Sequence, residues 1–140
     1  MNRQHIDLVR SSYALVQPIA PTAAAMFYDN LFAADPALRP LFRGNMNHQG
    51  ERLMAAIGAA LRLLELPAEL KPMLRLLGGR HAGYGVREAH YDSVGSALLL
   101  TLQQGLGDAF TPQTRVAWVE LFGVIKATML EGAREIAPAA

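Results

Sequence analysis

Apolar residues recur at intervals of three and four along most of the chain. Ile6, Val9, Tyr13 and Val16 make the first such series, which stops before Pro18. An α-helix turns about 100° per residue, so positions three and four apart share a face, and the series predicts an amphipathic helix. Thr22 is placed to cap a second helix, AAAMFYDNLFA. Asp35-Pro36 has the form of an N-cap followed by proline in the first turn, opening a short helical stretch, PALRPLF. After the polar loop RGNMN, a long helix is expected from about His48 to Glu65, halted by Pro67. Residues 67–82 predict another, ended by the glycines around Gly83 and Gly85. Tyr91 to about Leu106 predicts the next, and Thr111-Pro112 opens a last helix that runs into the 130s. No hairpin dipeptide and no sustained period of two appear. The expectation is an all-α fold of six or seven helices in one domain, 1–140.

Polar side chains interrupt three of these apolar stripes. In the helix over 67–82 the stripe is Leu70, Leu74 and Leu77, and its next member is His81. In the long helix before it, Leu53, Ile57, Leu61 and Leu64 share a face, and the step back from Leu53 is Gln49. In the second helix Tyr28 shares a face with Ala24 and Leu31. Each has an ordinary explanation alone. A histidine on an apolar face usually bonds a carbonyl, a glutamine suits a first helical turn, and a buried tyrosine packs with its hydroxyl satisfied. Together they describe an apolar pocket with a few convergent polar groups, the general form of a ligand or cofactor site. Imidazole is a common neutral metal ligand, whereas Gln and Tyr suit hydrogen bonding to something held at the metal. One histidine holds a metal well only when the metal brings most of its own ligands, as haem iron does.

Composition narrows the alternatives. Lys and Arg total 13 against 12 for Asp and Glu, spread along the chain, so neither nucleic acid nor a membrane surface is expected as a partner. Cysteine is absent, which removes disulfides, thiolate metal sites and covalent haem attachment, and agrees with a cytoplasmic location. The N-terminal MNRQHIDLVR lacks the apolar core of a signal peptide, and the most apolar stretch, LMAAIGAALRLLELPAEL, carries Arg62 and two glutamates. H-E-x-x-H, a phosphate loop and a G-x-S-x-G elbow are missing. His48 shares a face with Arg52 and should be solvated, His5 lies near an end expected to fray, and His90 precedes a helix start. Gly78-Gly79 are expected to let their helix pass close to a flat partner or a neighbouring helix rather than to cradle phosphate.

The motifs MFYDNLF, DPALRPLF, QGERLMAAI, GGRHAGYGV, HYDSVGSALL and the AW…FGV run follow one another in an order that resembles bacterial single-domain globins. The closest likeness is to the globin module of the flavohaemoglobins, over about Leu8 to Met129. That resemblance implies a three-over-three helical sandwich around haem b, with His81 as the proximal iron ligand. It makes Tyr28 and Gln49 the distal pair that stabilises a bound gas. Phe42, Leu53, Leu77, Val86, Tyr91 and Val94 would line the cofactor. Flavohaemoglobins continue into flavin and nicotinamide domains, which this chain is not expected to carry. The family's proximal glutamate falls at Ala133, with Glu131 two residues off, roughly 200° around a helix.

The resemblance thus implies tight, reversible binding of O2, for storage, transport or scavenging, with NO and CO as further gases. A second implication is nitric oxide dioxygenase activity, or nitric oxide detoxification, fed by a separate reductase. A third is a haem-based gas sensor.

Overall fold

Caps and prolines decide where each helix begins. The structure, a computed structural model, describes residues 1–136. Its helices are α1 (Arg3–Val16), α2 (Ala20–Ala34), α3 (Met46–Arg62), α4 (Pro67–Gly83), α5 (Glu88–Leu106) and α6 (Pro112–Ile136). Short 3-10 turns occupy Gln17–Ile19, Pro36–Leu41 and Gly107–Ala109, and no strand occurs among the described residues. None of these helices is long and apolar enough to cross a membrane. Asn2 caps α1 by accepting the His5 N–H at 2.8 Å, and Thr111 caps α6 by accepting that of Thr114 at 3.1 Å.

Several boundaries differ from the sequence expectation, each for a local reason. The second helix starts at Ala20 with Pro21 in its first turn, so Thr22 lies inside it and caps nothing. Asp35 makes no cap; its carboxylate accepts the Ser93 hydroxyl at 3.1 Å instead. The helix expected from His48 begins at Met46, because Asn45 accepts the Asn47 and His48 N–H groups. It ends at Arg62 rather than Glu65. The Leu61 carbonyl, which a further turn would use, takes two bonds from the Arg10 guanidinium, at 2.9 and 3.1 Å. The next helix begins at Glu88, not Tyr91, where the His90 imidazole accepts the Arg87 N–H at 2.9 Å. His5 does not fray either; its half-buried ring pairs with Glu120 of α6.

α4 lies along α6, α2 packs on α5 and α3, and α1 lies against α6 with further contacts to α3 and α5. The α4–α6 crossing is a backbone contact. A Cβ added to Gly78 would stand 1.9 Å from the Met129 carbonyl oxygen, and one on Gly132 would stand 1.9 Å from that of Arg75. Gly78 therefore does bring its helix close to a neighbour, and the neighbour is α6. On the other side, buried Trp118 donates its indole N–H to Ser12 at 2.8 Å, and the Tyr13 hydroxyl donates to the Met54 carbonyl at 2.6 Å. These bonds satisfy the polar atoms of an otherwise apolar core around Val9, Leu61, Leu102 and Leu121.

Gly78→Ala and Gly132→Ala are expected to lower stability by about 1–3 kcal/mol or more, since the clash is with backbone that cannot rotate away. Gly95, in a helix with nothing within 4 Å of an added Cβ, should by contrast gain about 0.5–1 kcal/mol as alanine. Urea unfolding of the three variants measures the difference.

Candidate functional site

The last turn of α4 carries His81, and the imidazole is oriented by its own helix. Its Nδ1 lies 2.8 Å from the Leu77 carbonyl oxygen. A carbonyl can only accept, so Nδ1 bears the proton and Nε2 keeps its lone pair. Burial lowers the imidazole pKa, partly opposed by the Leu77 bond, so the neutral ring is favoured. The ordinary role of a core histidine and the role of a ligand are thus compatible: one nitrogen serves the backbone and the other is left for chemistry. After His81 the chain turns at once. Tyr84 and Val86 return their N–H groups to the His81 carbonyl, each at 3.0 Å, and Gly85 takes φ +90°, a conformation that favours glycine.

Tyr28 stands on the inward face of α2, 7% exposed, in a cluster with Phe27, Leu31, Leu38, Phe42, Leu53 and Val94. Its ring meets Phe42 edge-on at 5.3 Å and Phe27 at 4.9 Å. Desolvation pushes its phenol up to about 12, so the hydroxyl keeps its proton at any physiological pH. Leu77 and Tyr91 belong to a second cluster, with Leu70, Leu74 and Met129. Tyr91 and Val94 are three apart on α5, so one helix joins the wall beside α4 to the wall around Tyr28. The turn after His81 also reaches the Phe42 segment, because a Cβ on Gly85 would lie 3.7 Å from Leu41 Cδ2.

Gln49 sits less deeply. Its Nε2 donates to the Arg43 carbonyl at 2.9 Å, and the side chain is only half buried. Its neighbour Gly50 packs tightly on Ala24 and reaches the Tyr28 ring, so α3 crosses α2 one residue beyond Gln49. Glu131, the candidate for the missing carboxylate near Ala133, is held elsewhere: Arg75 Nε and Nη2 donate to one of its oxygens at 3.2 and 3.1 Å. Phe32, Leu41, Met46 and Leu98 also pack into the Tyr28 cluster and were not singled out from sequence. Phe32 and Leu98, four residues after Tyr28 and Val94, and Leu41, three after Leu38, had a periodic signal; Met46, at the edge of a loop, had none.

The donor set decides what His81 can hold. Among the described residues no three His, Asp or Glu side chains gather as a metal site. His81 offers one neutral Nε2, which suits a metal complex whose other positions are already filled. A family profile described as Globin matches residues 25–129. The chain is a globin. As a member of that family it is a haem-binding protein. This globin is 30% identical over 128 residues to the flavohemoprotein of Bacillus subtilis and 31% identical over 128 residues to that of Rhodopirellula baltica. Each alignment covers 89% of this chain but only 32% and 31% of the relative, so the chain spans about a third of those proteins' length. Among solved structures it is similar to an engineered carbene transferase derived from a proposed nitric oxide dioxygenase of Rhodothermus marinus. That likeness has a TM-score of 0.86 and 26% identity, and covers 97% of this chain and 95% of that one. A bacterial globin of Campylobacter jejuni shares the fold, with a TM-score of 0.84, 23% identity, and coverage of 96% and 98%.

The Tyr28 phenol gives a test that needs no cofactor. An unfolded phenol ionises near its ordinary 10.0, whereas the folded one holds its proton to about 12. Its contribution to stability is therefore full below pH 10 and is lost as pH rises through that interval. Urea unfolding at pH 8, 10 and 11 should show Tyr28→Phe declining less steeply than the parent chain.

Proposed function

We propose that this globin carries haem b on His81 Nε2 and binds O2 tightly and reversibly, for storage, transport or scavenging, in a cysteine-free chain suited to the cytoplasm. The observation that carries the reading is the His81 arrangement, in which the Leu77 carbonyl fixes the proton on Nδ1 and frees Nε2. Bound haem supplies an open iron position for a diatomic gas and one-electron chemistry. Leu77, Tyr91, Val86, Val94, Phe42 and Leu53 enclose it and exclude water. Tyr28 keeps its hydroxyl proton and donates it toward the gas, and such charge-assisted bonds contribute roughly 1.5–3 kcal/mol. Gln49 serves as a second donor once its amide leaves the Arg43 carbonyl, a cost that makes it the weaker of the two. The Leu77 bond also makes His81 a less electron-rich ligand than a carboxylate partner would, which disfavours peroxidase-like cleavage.

A second reading, nitric oxide dioxygenase, is favoured by the flavohemoprotein relatives and by the structural likeness to the Rhodothermus marinus protein. O2 and NO combine to nitrate with the uptake of one electron, which a separate reductase would supply. NO and CO would be further ligands of the same pocket. Sustained turnover with reductant and a partner reductase favours this second reading over simple O2 binding.

The haem absorption band should form on adding haem to the purified chain and be lost or sharply shifted in His81→Ala. At about 1.4 kcal/mol per tenfold, Tyr28→Phe should speed O2 release by about ten- to a hundredfold. An unchanged off-rate would remove Tyr28 from the distal role.

A further inference from the structure

Two of the rings around Tyr28 are tied to one exposed residue, Arg39. Phe32 stands one helical turn after Tyr28 on α2 and stacks on its ring at 5.9 Å, with 22° between the planes. Phe42 meets Tyr28 edge-on at 5.3 Å and Phe32 edge-on at 5.4 Å, so the three rings close a triangle. Arg39 Cζ lies over the Phe32 ring, 5.1 Å from its centroid and within cation–π reach. The backbone of Arg39 fixes the third ring, because its carbonyl accepts the Phe42 N–H at 3.1 Å. The segment that carries Arg39 is short and stiff. Pro36 and Pro40 restrict its backbone, and buried Leu38 anchors it in the Tyr28 cluster. No ion pair among the described residues takes Arg39. Asp35, the acid nearest to it in sequence, instead accepts the Ser93 hydroxyl of α5.

We propose that Arg39 is a positioning residue for the Tyr28 hydroxyl: its guanidinium holds Phe32, Phe32 holds the Tyr28 ring, and the ring aims the hydroxyl at the bound gas. The inference rests on the gas-binding role proposed above for Tyr28 and names a residue outside the pocket that governs it. Phe32 is only half-buried, so packing does not lock its ring on every side. With the guanidinium removed, the ring gains room toward solvent and the stacked support of Tyr28 loosens. A hydrogen bond weakens steeply once its donor is misaligned, so a modest rotation of the phenol costs the gas its donor while the pocket stays intact. O2 is polarised by a hydroxyl donor far more than CO is. Arg39 therefore acts on the discrimination between the two gases rather than on gas binding as a whole.

The test measures O2 and CO release from the ferrous, haem-loaded protein by stopped flow. Arg39→Ala should speed O2 release by about two- to fivefold, the scale of one exposed cation–π contact, and leave CO release nearly unchanged. Arg39→Lys, which keeps a cation for the ring, should restore most of the parent rate. In the Tyr28→Phe background Arg39→Ala should add nothing, because its route to the gas is gone. Aromatic NMR of the CO-bound protein follows ring flips, the Tyr28 signals being those lost in Tyr28→Phe. Arg39→Ala should speed the Tyr28 flips and leave those of Tyr91, on the other wall, as they were. Unchanged O2 release or unchanged Tyr28 flips in Arg39→Ala overturn the proposal. So does an equal gain in the Tyr28→Phe background, or an equal change for O2 and CO, either of which would make Arg39 a matter of general stability. A chain that takes up no haem, or Tyr28→Phe with O2 release unchanged, would remove the role of Tyr28 itself and this proposal with it.

Discussion

The contact on which the site depends is the backbone crossing of α4 and α6. At Gly78 and Gly132 the two helices approach so closely that each glycine faces a carbonyl oxygen of the other helix, a geometry open to weak Cα–H···O bonds. Gly78 stands one turn before His81, so the crossing fixes the height and rotation of α4 where the imidazole leaves it. The Leu77 carbonyl then sets the ring on that fixed turn. Two sequence-distant glycines therefore govern a nitrogen lone pair that neither of them touches.

The opposite wall is assembled differently. Tyr28 is held by aromatic neighbours, with Phe27 and Phe42 edge-on to its ring and Phe32 stacked on it, and by the tight α3–α2 crossing at Gly50. α5 ties this wall to the other through Tyr91 and Val94. The His81 wall is thus positioned by backbone and the Tyr28 wall by side chains. Core backbone yields less readily to substitution than an aromatic cluster, so the Tyr28 side is where exchange can tune the pocket at least cost to the fold.

Much of this was legible in the sequence, and the exceptions have physical causes. Three-and-four spacing identified the six helices and put His81 and Tyr28 on inward faces, because periodicity follows from burial. Helix ends were read less well wherever a distant group intervened: Arg10 takes the Leu61 carbonyl and shortens α3, and Ser93 draws Asp35 away from capping. Gln49 is expected from its stripe to point inward, whereas its half-buried amide bonds the Arg43 carbonyl, in a loop with no periodic signal. Glu131 illustrates the same limit, since its engagement with Arg75 needs the α4–α6 register to be known.

Trp118 is the one tryptophan of the chain, fully buried and bonded to Ser12 of α1. It lines an apolar hollow with Phe27, Leu53, Leu98 and Leu102, and three of those residues, Phe27, Leu53 and Leu98, also belong to the Tyr28 cluster. The tryptophan fluorescence of this protein therefore has a single origin, at the junction of α1 and α6. A bound porphyrin would quench that emission by energy transfer, and release of α1 would shift it to the red. The fold carries its own optical reporter, able to distinguish a filled pocket from an empty one and both from a chain coming apart.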